Sequence, residues 1–368
     1  MRALVVGGTG PTGPFIVDGL RQRGYEVAIF HRGTHEIPEI GPDIEHVHGD
    51  PHFPETIRDA LGERTFDLVV ATYGRLRHLA EHFVGRVGRL VSVGGFPVYK
   101  GFWDPYELHP PGMFVPVAED GPTAGPDDNR FSHLIRSTEE AVLSSHPAAT
   151  HFRYPYVYGP YQVAPVEWSV VRRILDRRPF VIVSDGGHAL YTRGFAQNMA
   201  HAVLAAVDQP DRCAGQVYNC GDEVQYSVRQ WVELIAEAMG TPIEVLSLPH
   251  ELAAAGDPLL VDGGGFHRLL DLQKLRVDLG YHDVVPVRDA VERAVRWLVE
   301  HRPEPGGDVE ERVGDAFDYD AEDRLAAAWG RALDGVRPLA PARAGDGYRP
   351  HAYAHPAAPG QASDHRNR

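Results

Sequence analysis

Apolar residues open this chain in a short run, Ala3 to Val6, which breaks at once into glycines at 7, 10 and 13. An uninterrupted apolar run of that length, followed by glycine, predicts a strand buried on both faces. An amphipathic stretch follows and predicts a helix over Gly13–Arg23, and the same alternation continues through the first half. Further strands are predicted at Glu26–Phe30, Glu45–Val47, Leu68–Ala71, Arg89–Val93 and Thr150–Tyr154. Between them, helical periodicity marks Pro54–Leu61, Gly74–Val84 and Asn129–Ser145. Strand–helix alternation of this kind predicts an α/β fold, a doubly wound parallel sheet with helices on both faces. Beyond Tyr161 the pattern loosens. Helices are predicted at Trp168–Leu175, Ala196–Val207, Ser227–Met239 with Ser227 as its cap, Asp289–Glu300 and Ala321–Leu333. From Pro303 the composition turns to Pro, Gly, Asp and Glu, and 337–368, rich in Pro, Ala, Gly and His, is expected to be disordered.

The opening pattern Gly7-x-x-Gly10-x-x-Gly13 carries chemistry as well as geometry. A strand that ends in glycines and opens a helix brings a diphosphate to free backbone N–H groups and to the positive end of the helix dipole. Glycine suits the turn because side chains would block the approach of backbone to phosphate and of helix to strand.

Composition narrows the classes. The 368 residues suffice for one large α/β unit or two modest domains. A net charge of −15 argues against nucleic acid as a partner. No apolar run approaches the length of a membrane span, so no membrane partner is expected. The chain starts directly on a strand, leaving no room for a signal peptide, and the two cysteines, Cys213 and Cys220, form no disulfide framework. A cytoplasmic setting is expected. The 20 histidines are scattered; His46-x-His48 and His351/His355 have no carboxylate or thiol cluster completing them in the sequence, and no metal site is expected.

Several spaced segments resemble the extended short-chain dehydrogenase/reductase family, the group of NAD-dependent epimerases and dehydratases. Besides Gly7, Gly10 and Gly13 these are Gly49-Asp50, Val98-Tyr99, Thr138-Glu139-Glu140-Ala141, Arg153, Val157-Tyr158-Gly159-Pro160, Tyr218-Asn219-x-Gly221, Asp271-x-x-Lys274 and Leu279-Gly280-Tyr281. The resemblance covers Met1 to Arg302. It implies a Rossmann dinucleotide-binding domain over 1–165 with about 195–222 added, and a smaller substrate domain over 166–194 and 223–302. Residues 303–336 are then a C-terminal extension. A homodimer through Gly74–Val84 and Asn129–Ser145 is implied by the same analogy.

Cofactor contacts implied by the resemblance fall on Gly7, Thr9, Gly10, Thr12, Gly13, His31, Arg32, Asp50, Pro51, Ala71, Tyr73, Tyr154 and Tyr156. At the end of the second strand, where a carboxylate would bind the ribose hydroxyls of NAD, the chain has His31-Arg32. A guanidinium pairs with a 2′-phosphate or stacks on adenine, so NADP(H) is favoured over NAD(H).

Relatives work through a Ser or Thr, a Tyr and a Lys four residues after it. Here those places hold Gly95, Phe131 and Ile135, and the apolar pair is read as helix residues facing the core. Other groups must then handle the proton. The candidates are Tyr156 and Tyr99, with Lys100 and His133. Arg172-Arg173 and Arg177-Arg178 are candidates for gripping an acidic substrate, and Trp168, Tyr191 and Phe195 for an aromatic wall. Asn198 stands where relatives often carry an acid. The resulting reading is an atypical NAD(P)(H)-dependent oxidoreductase moving hydride to or from a carbonyl or hydroxyl of a small-molecule substrate. The alternatives are a nucleotide-sugar epimerase or dehydratase with transient oxidation, and a non-catalytic NADP-binding sensor or scaffold.

Overall fold

The computed structural model describes residues 1–34, 36–260, 265–341 and 358–360. Met1–Phe317 form one compact unit and Asp318–Arg368 a second.

The first unit opens with β1 (Arg2–Val6), α1 (Gly13–Gln22), β2 (Glu26–His31), β3 (Glu45–His48), α2 (Pro54–Leu61), β4 (Phe66–Ala71), α3 (Leu76–Phe83) and β5 (Val87–Gly95). After a long connection come α4 (Arg130–Ser145), β6 (Thr150–Tyr154) and β7 (Tyr156–Tyr158). Then follow α5 (Trp168–Leu175), β8 (Phe180–Ser184), β9 (Arg193–Phe195), α6 (Ala196–Asp208), α7 (Pro210–Cys213) and β10 (Val217–Asn219). The unit closes with α8 (Val228–Ala238), β11 (Glu244–Leu248), α9 (Gln273–Leu279), α10 (Val287–Glu300) and α11 (Asp308–Val313).

Seven strands pair in the order β3-β2-β1-β4-β5-β6-β10, every pairing parallel. The strand order reverses between β1 and β4, which opens a crevice at the carboxyl edge, where ligands bind in such sheets. The apolar opening of the chain is explained by burial on two sides. Leu4 and Val6 pack with Ile57, Leu79 and Phe83 of α2 and α3, whereas Ala3 and Val5 pack with Ile16 and Leu20 of α1 and Val203 of α6. Each fully buried Leu, Ile or Val contributes about 1.5–3 kcal/mol.

A further core gathers α5, α8 and α10 around Trp231, which meets Tyr158 edge-on at 4.9 Å. Here the structure adds elements that the sequence reading did not anticipate. The pair β8/β11 and the pair β7/β9 form two small parallel ladders, and β10 extends the main sheet. The α8 cap is as read: Ser227 and Gln230 bond reciprocally to each other's backbone N–H, a capping box.

The compact unit extends past Arg302, where the resemblance ends, because α11 is tied to α5. Glu310 accepts from Trp168 Nε1 at 2.8 Å and from Arg172 at 2.5 Å, and Asp315 takes Arg173 at 2.5 Å. The second unit holds α12 (Tyr319–Val336), longer than anticipated and capped by Asp318, and a 3₁₀ turn over Arg337–Leu339. Most of the tail expected to be disordered, 342–357 and 361–368, lies outside the described residues.

Candidate active site

The glycine turn forms the first part of the site. Gly7 and Gly8 take φ of 105° and 87°, a region costly for any residue with a Cβ. At Gly13 a Cβ would lie 2.0 Å from the Gly8 carbonyl oxygen, so only glycine lets α1 start this close to the turn. The α1 N-terminus has no side-chain cap and no acidic residue in its first turn. The turn that leads into it, Gly7 to Thr12, lines a cavity of about 340 Å³, an arrangement that fits a diphosphate.

Gly7, Thr9, Gly10, Thr12, His31, Arg32, Tyr73 and Tyr154 line this cavity, together with Val157 and Val163. The Arg32 guanidinium stands over the Tyr73 ring, 5.7 Å from its centroid. Tyr154 donates its hydroxyl to the Met199 carbonyl at 2.8 Å, so it serves as a wall. Gly13, Asp50, Pro51, Ala71 and Tyr156 are not among the lining residues. Ala71 is buried in β4, and Pro51 packs under the Gly74 turn. Asp50 accepts from the His52 ring at 2.7 Å and its N–H at 3.0 Å. Burial opposes ionisation of Asp50, but His52 and the nearby Arg32 hold its carboxyl below the usual range.

A second cavity of about 560 Å³ lies beside the first, and Thr72 and Tyr73 line both. Its wall includes Gly95, Phe131 and Ile135, the three positions where relatives carry the Ser/Thr, Tyr and Lys. Ile135 Cδ1 comes within 3.8 Å of where a Gly95 Cβ would be, so the three places do converge. The reading of Phe131 as a core residue is corrected. It is 55% exposed, edge-on to Trp103 at 5.9 Å, in the first turn of α4. Ile135, half-buried, does pack toward the core.

The other proton-handling candidates are engaged elsewhere. Tyr99 is 1% exposed, donates to Asn219 at 2.7 Å and accepts from Arg153 at 2.6 Å. Burial pushes its hydroxyl up to about 12. Lys100 pairs with Asp128 at 3.0 Å. His133 faces Ser137 of its own helix, 3.4 Å away. Sequence reasoning missed His151, which lines the second cavity next to Gly94. Its Nδ1 meets Ser92 Oγ at 2.8 Å, its Nε2 lies 3.5 Å from Glu139, and burial lowers it to about 4, so it is neutral.

A third cavity, about 340 Å³, brings Tyr156 together with Trp103, Tyr191 and Arg193. The Tyr156 hydroxyl is 3.1 Å from Glu167 Oε2 and from the Ala164 carbonyl, and it accepts from Val166 N–H at 3.0 Å. Burial and then Glu167 push Tyr156 well above its ordinary range, and burial raises Glu167 in turn. Arg193 was not anticipated. It is 4% exposed, stacks over Trp231 at 4.6 Å, and among the described residues has no carboxylate within 4.0 Å. Its one side-chain hydrogen bond to a described residue is a long 3.4 Å contact to the Tyr226 carbonyl. Burial lowers the guanidinium, with Glu167 opposing. A buried cation left this bare at a cavity wall can bind an anion. Arg172 and Arg173, read as grip residues, are instead spent on Glu310 and Asp315.

Asn198 holds Asp222, which also accepts from Phe195 N–H and Tyr158. Burial raises Asp222 to about 7. The histidine pair of β3 also departs from expectation: Glu36 places a carboxylate 3.4 Å from His46 and 3.5 Å from His48. It was missed because Glu36 is ten positions upstream and reaches them only through the fold.

No family model matches the sequence. An uncharacterized protein, y4nL of Sinorhizobium fredii, is 25% identical over 40% of this chain and 47% of its own length, so the match spans about half of that relative. A UDP-glucose 4-epimerase of Corynebacterium glutamicum is 25% identical over 70% of this chain and 85% of its length. Among solved structures, a UDP-glucose 4-epimerase of Thermotoga maritima, crystallised with UDP-glucose, superposes with TM-score 0.66. It is 18% identical, over 82% of this chain and all of that one. A dTDP-glucose 4,6-dehydratase of Bacillus anthracis in complex with NAD gives TM-score 0.63 at 17% identity, over 82% of this chain and 97% of that one. No helix among the described residues is long and apolar enough to cross a membrane. The chain thus has the Rossmann-type fold of the NAD-dependent epimerases and dehydratases that its sequence resembles.

Proposed function

We propose that this protein is a nicotinamide-dinucleotide-dependent oxidoreductase acting on a small organic substrate with an anionic group, without the Tyr/Lys pair of its relatives. The observation that carries the reading is the glycine turn Gly7–Thr12, which opens α1 and lines a cavity that also takes in Arg32. The turn's backbone binds the diphosphate, and Arg32 favours the 2′-phosphate of NADP(H) over NAD(H). The bound cofactor supplies hydride acceptance or donation at its nicotinamide ring. Phe131, Ile135 and Gly95 bring no hydroxyl or amine to the second cavity, which leaves proton handling to other groups. In the third cavity Arg193 holds the substrate anion, and the proton sits at Tyr156 Oη with Glu167 behind it at 3.1 Å.

The test is a thermal shift with NADPH and NADH, since binding to the native state raises stability by mass action. A larger shift with NADPH supports the reading; equal shifts remove the NADP preference, and no shift with either at saturation overturns it. Unchanged turnover in Tyr156→Phe dismisses that tyrosine. A second reading, epimerisation or dehydration through transient oxidation, draws support from the likeness to sugar-nucleotide epimerases and dehydratases. Cofactor that stays bound through purification supports it, because such an enzyme recycles its own hydride.

A further inference from the structure

Three histidines and one glutamate meet at the outer edge of the sheet. His31 ends β2, His46 and His48 alternate along β3, and the parallel register sets His31 beside His48 and Ile29 beside His46. Glu36, on the chain leaving β2, covers them. The His31 Nε2 to His46 Nδ1 distance is 3.1 Å. Glu36 lies 3.4 Å from His46 Nδ1, 3.5 Å from His48 Nε2 and 4.0 Å from His31 Nε2. One ligand atom from each of the four residues falls within 4.8 Å of all the others.

Three of these spacings approach those of a coordination shell. Four ligands at the vertices of a tetrahedron, each about 2.0–2.1 Å from a central zinc ion, stand about 3.3–3.4 Å apart. The shortest distances here, 3.1, 3.4 and 3.5 Å, straddle that edge length, the last two to different oxygens of Glu36, and the longer separations, within 4.8 Å, would contract on binding. The site also has a closed floor and an open entrance. The His31 and His46 side chains are 5% and 17% exposed, whereas those of His48 and Glu36 are 57% and 54% exposed.

We propose that His31, Glu36, His46 and His48 form a binding site for a divalent late-transition-metal ion of the zinc class. Three imidazoles and one carboxylate suit Zn²⁺ and its Co²⁺ surrogate, while Mg²⁺ and Ca²⁺ require oxygen-rich shells. Four protein ligands close the shell, so the role is structural. The ion clips residues 31–36, which include Arg32, to the edge strand. Binding at His31 Nε2 moves the ring proton to Nδ1 and gives up the long 3.3 Å contact from Gly33 N–H.

The test uses the full chain stripped with a chelator and titrated with Co²⁺ by visible absorption, then with Zn²⁺ as competitor. One Co²⁺ per chain with a four-coordinate spectrum, displaced by Zn²⁺ and accompanied by a higher melting temperature, is expected. Affinity should fall about 100-fold or more in His46→Ala and in His48→Ala, since each loses one of four bonds. A His351→Ala/His355→Ala variant should bind as the parent does. His48 and Glu36 are exposed, so His48→Ala and Glu36→Gln keep the test open should His46→Ala misfold. Failure to bind Co²⁺ at micromolar protein, or binding that survives the His48 and Glu36 substitutions, overturns the proposal. Cofactor binding is read separately, by the NADPH shift.

Discussion

Replacing Arg193 with Met separates two effects that a merely structural arginine would link. The guanidinium is buried and, among the described residues, has no carboxylate within 4.0 Å and one weak hydrogen bond. Burying an ion that is not fully paired costs several kcal/mol, and stacking on Trp231 returns about 0.5–2 kcal/mol. Met keeps most of the apolar volume and removes the cost, so stability should hold or rise by up to about 2 kcal/mol. Anion binding should move the other way. A hydrogen bond to a charged group contributes about 1.5–3 kcal/mol, which converts to about 10- to 150-fold in affinity. The assay is the melting temperature of parent and variant with saturating NADPH, which covers the glycine turn, across a pyrophosphate titration. The parent should respond to pyrophosphate and the variant should not. A variant that melts well below the parent while keeping its pyrophosphate response would falsify the assignment of Arg193 as an anion site.

Arg32→Ala should weaken NADPH binding about 10- to 100-fold and leave NADH binding nearly unchanged, measured by calorimetry; equal loss of both refutes a 2′-phosphate contact. Gly13→Ala drives a Cβ into the Gly8 carbonyl, and should lower stability by about 1–3 kcal/mol or more and abolish the NADPH shift. Parent-like melting and binding would mean that the turn is looser than drawn. Asp222, raised to about 7, contributes stability that is full below pH about 4 and lost as pH rises through 7. Asp222→Asn should therefore flatten the fall in stability between pH about 4 and about 7, gaining at most about 4 kcal/mol once the pH is above 7. His151, lowered to about 4, has the opposite sign: its contribution is present above pH about 6.5 and lost as pH falls through 4. Parallel pH profiles for parent and Asp222→Asn would contradict the first of these assignments.

The sheet was legible because burial on both faces leaves unbroken apolar runs, and Thr150–Tyr154 and Pro54–Leu61 match the structure residue for residue. The two small ladders and the last strand of the main sheet were not. β7, β9 and β10 are three residues each, too short for any period to show. Phe180–Ser184 did carry a usable signal, a β-branched run between Arg178-Pro179 and Gly186-Gly187. In the site, the glycine turn and Arg32 could be read locally because strand, turn and helix are contiguous. Arg193 could not, since what sets it apart is burial without a carboxylate among the described residues, which is a property of packing. The same holds for Glu36, which joins His46 and His48 only after the chain has turned back.

The ties between α11 and α5 bear on where this protein can be shortened. A chain ending at Arg302, where the likeness to the epimerases and dehydratases stops, would lose Glu310 and Asp315. Arg173, 1% exposed, would then lose the carboxylate of its buried pair, and Trp168 would lose its acceptor. Breaking such a pair typically costs about 3–5 kcal/mol, a large part of what holds a protein of this size together. Residues 308–315 are thus a staple closing over α5, and a minimal version of this protein should run at least to Phe317.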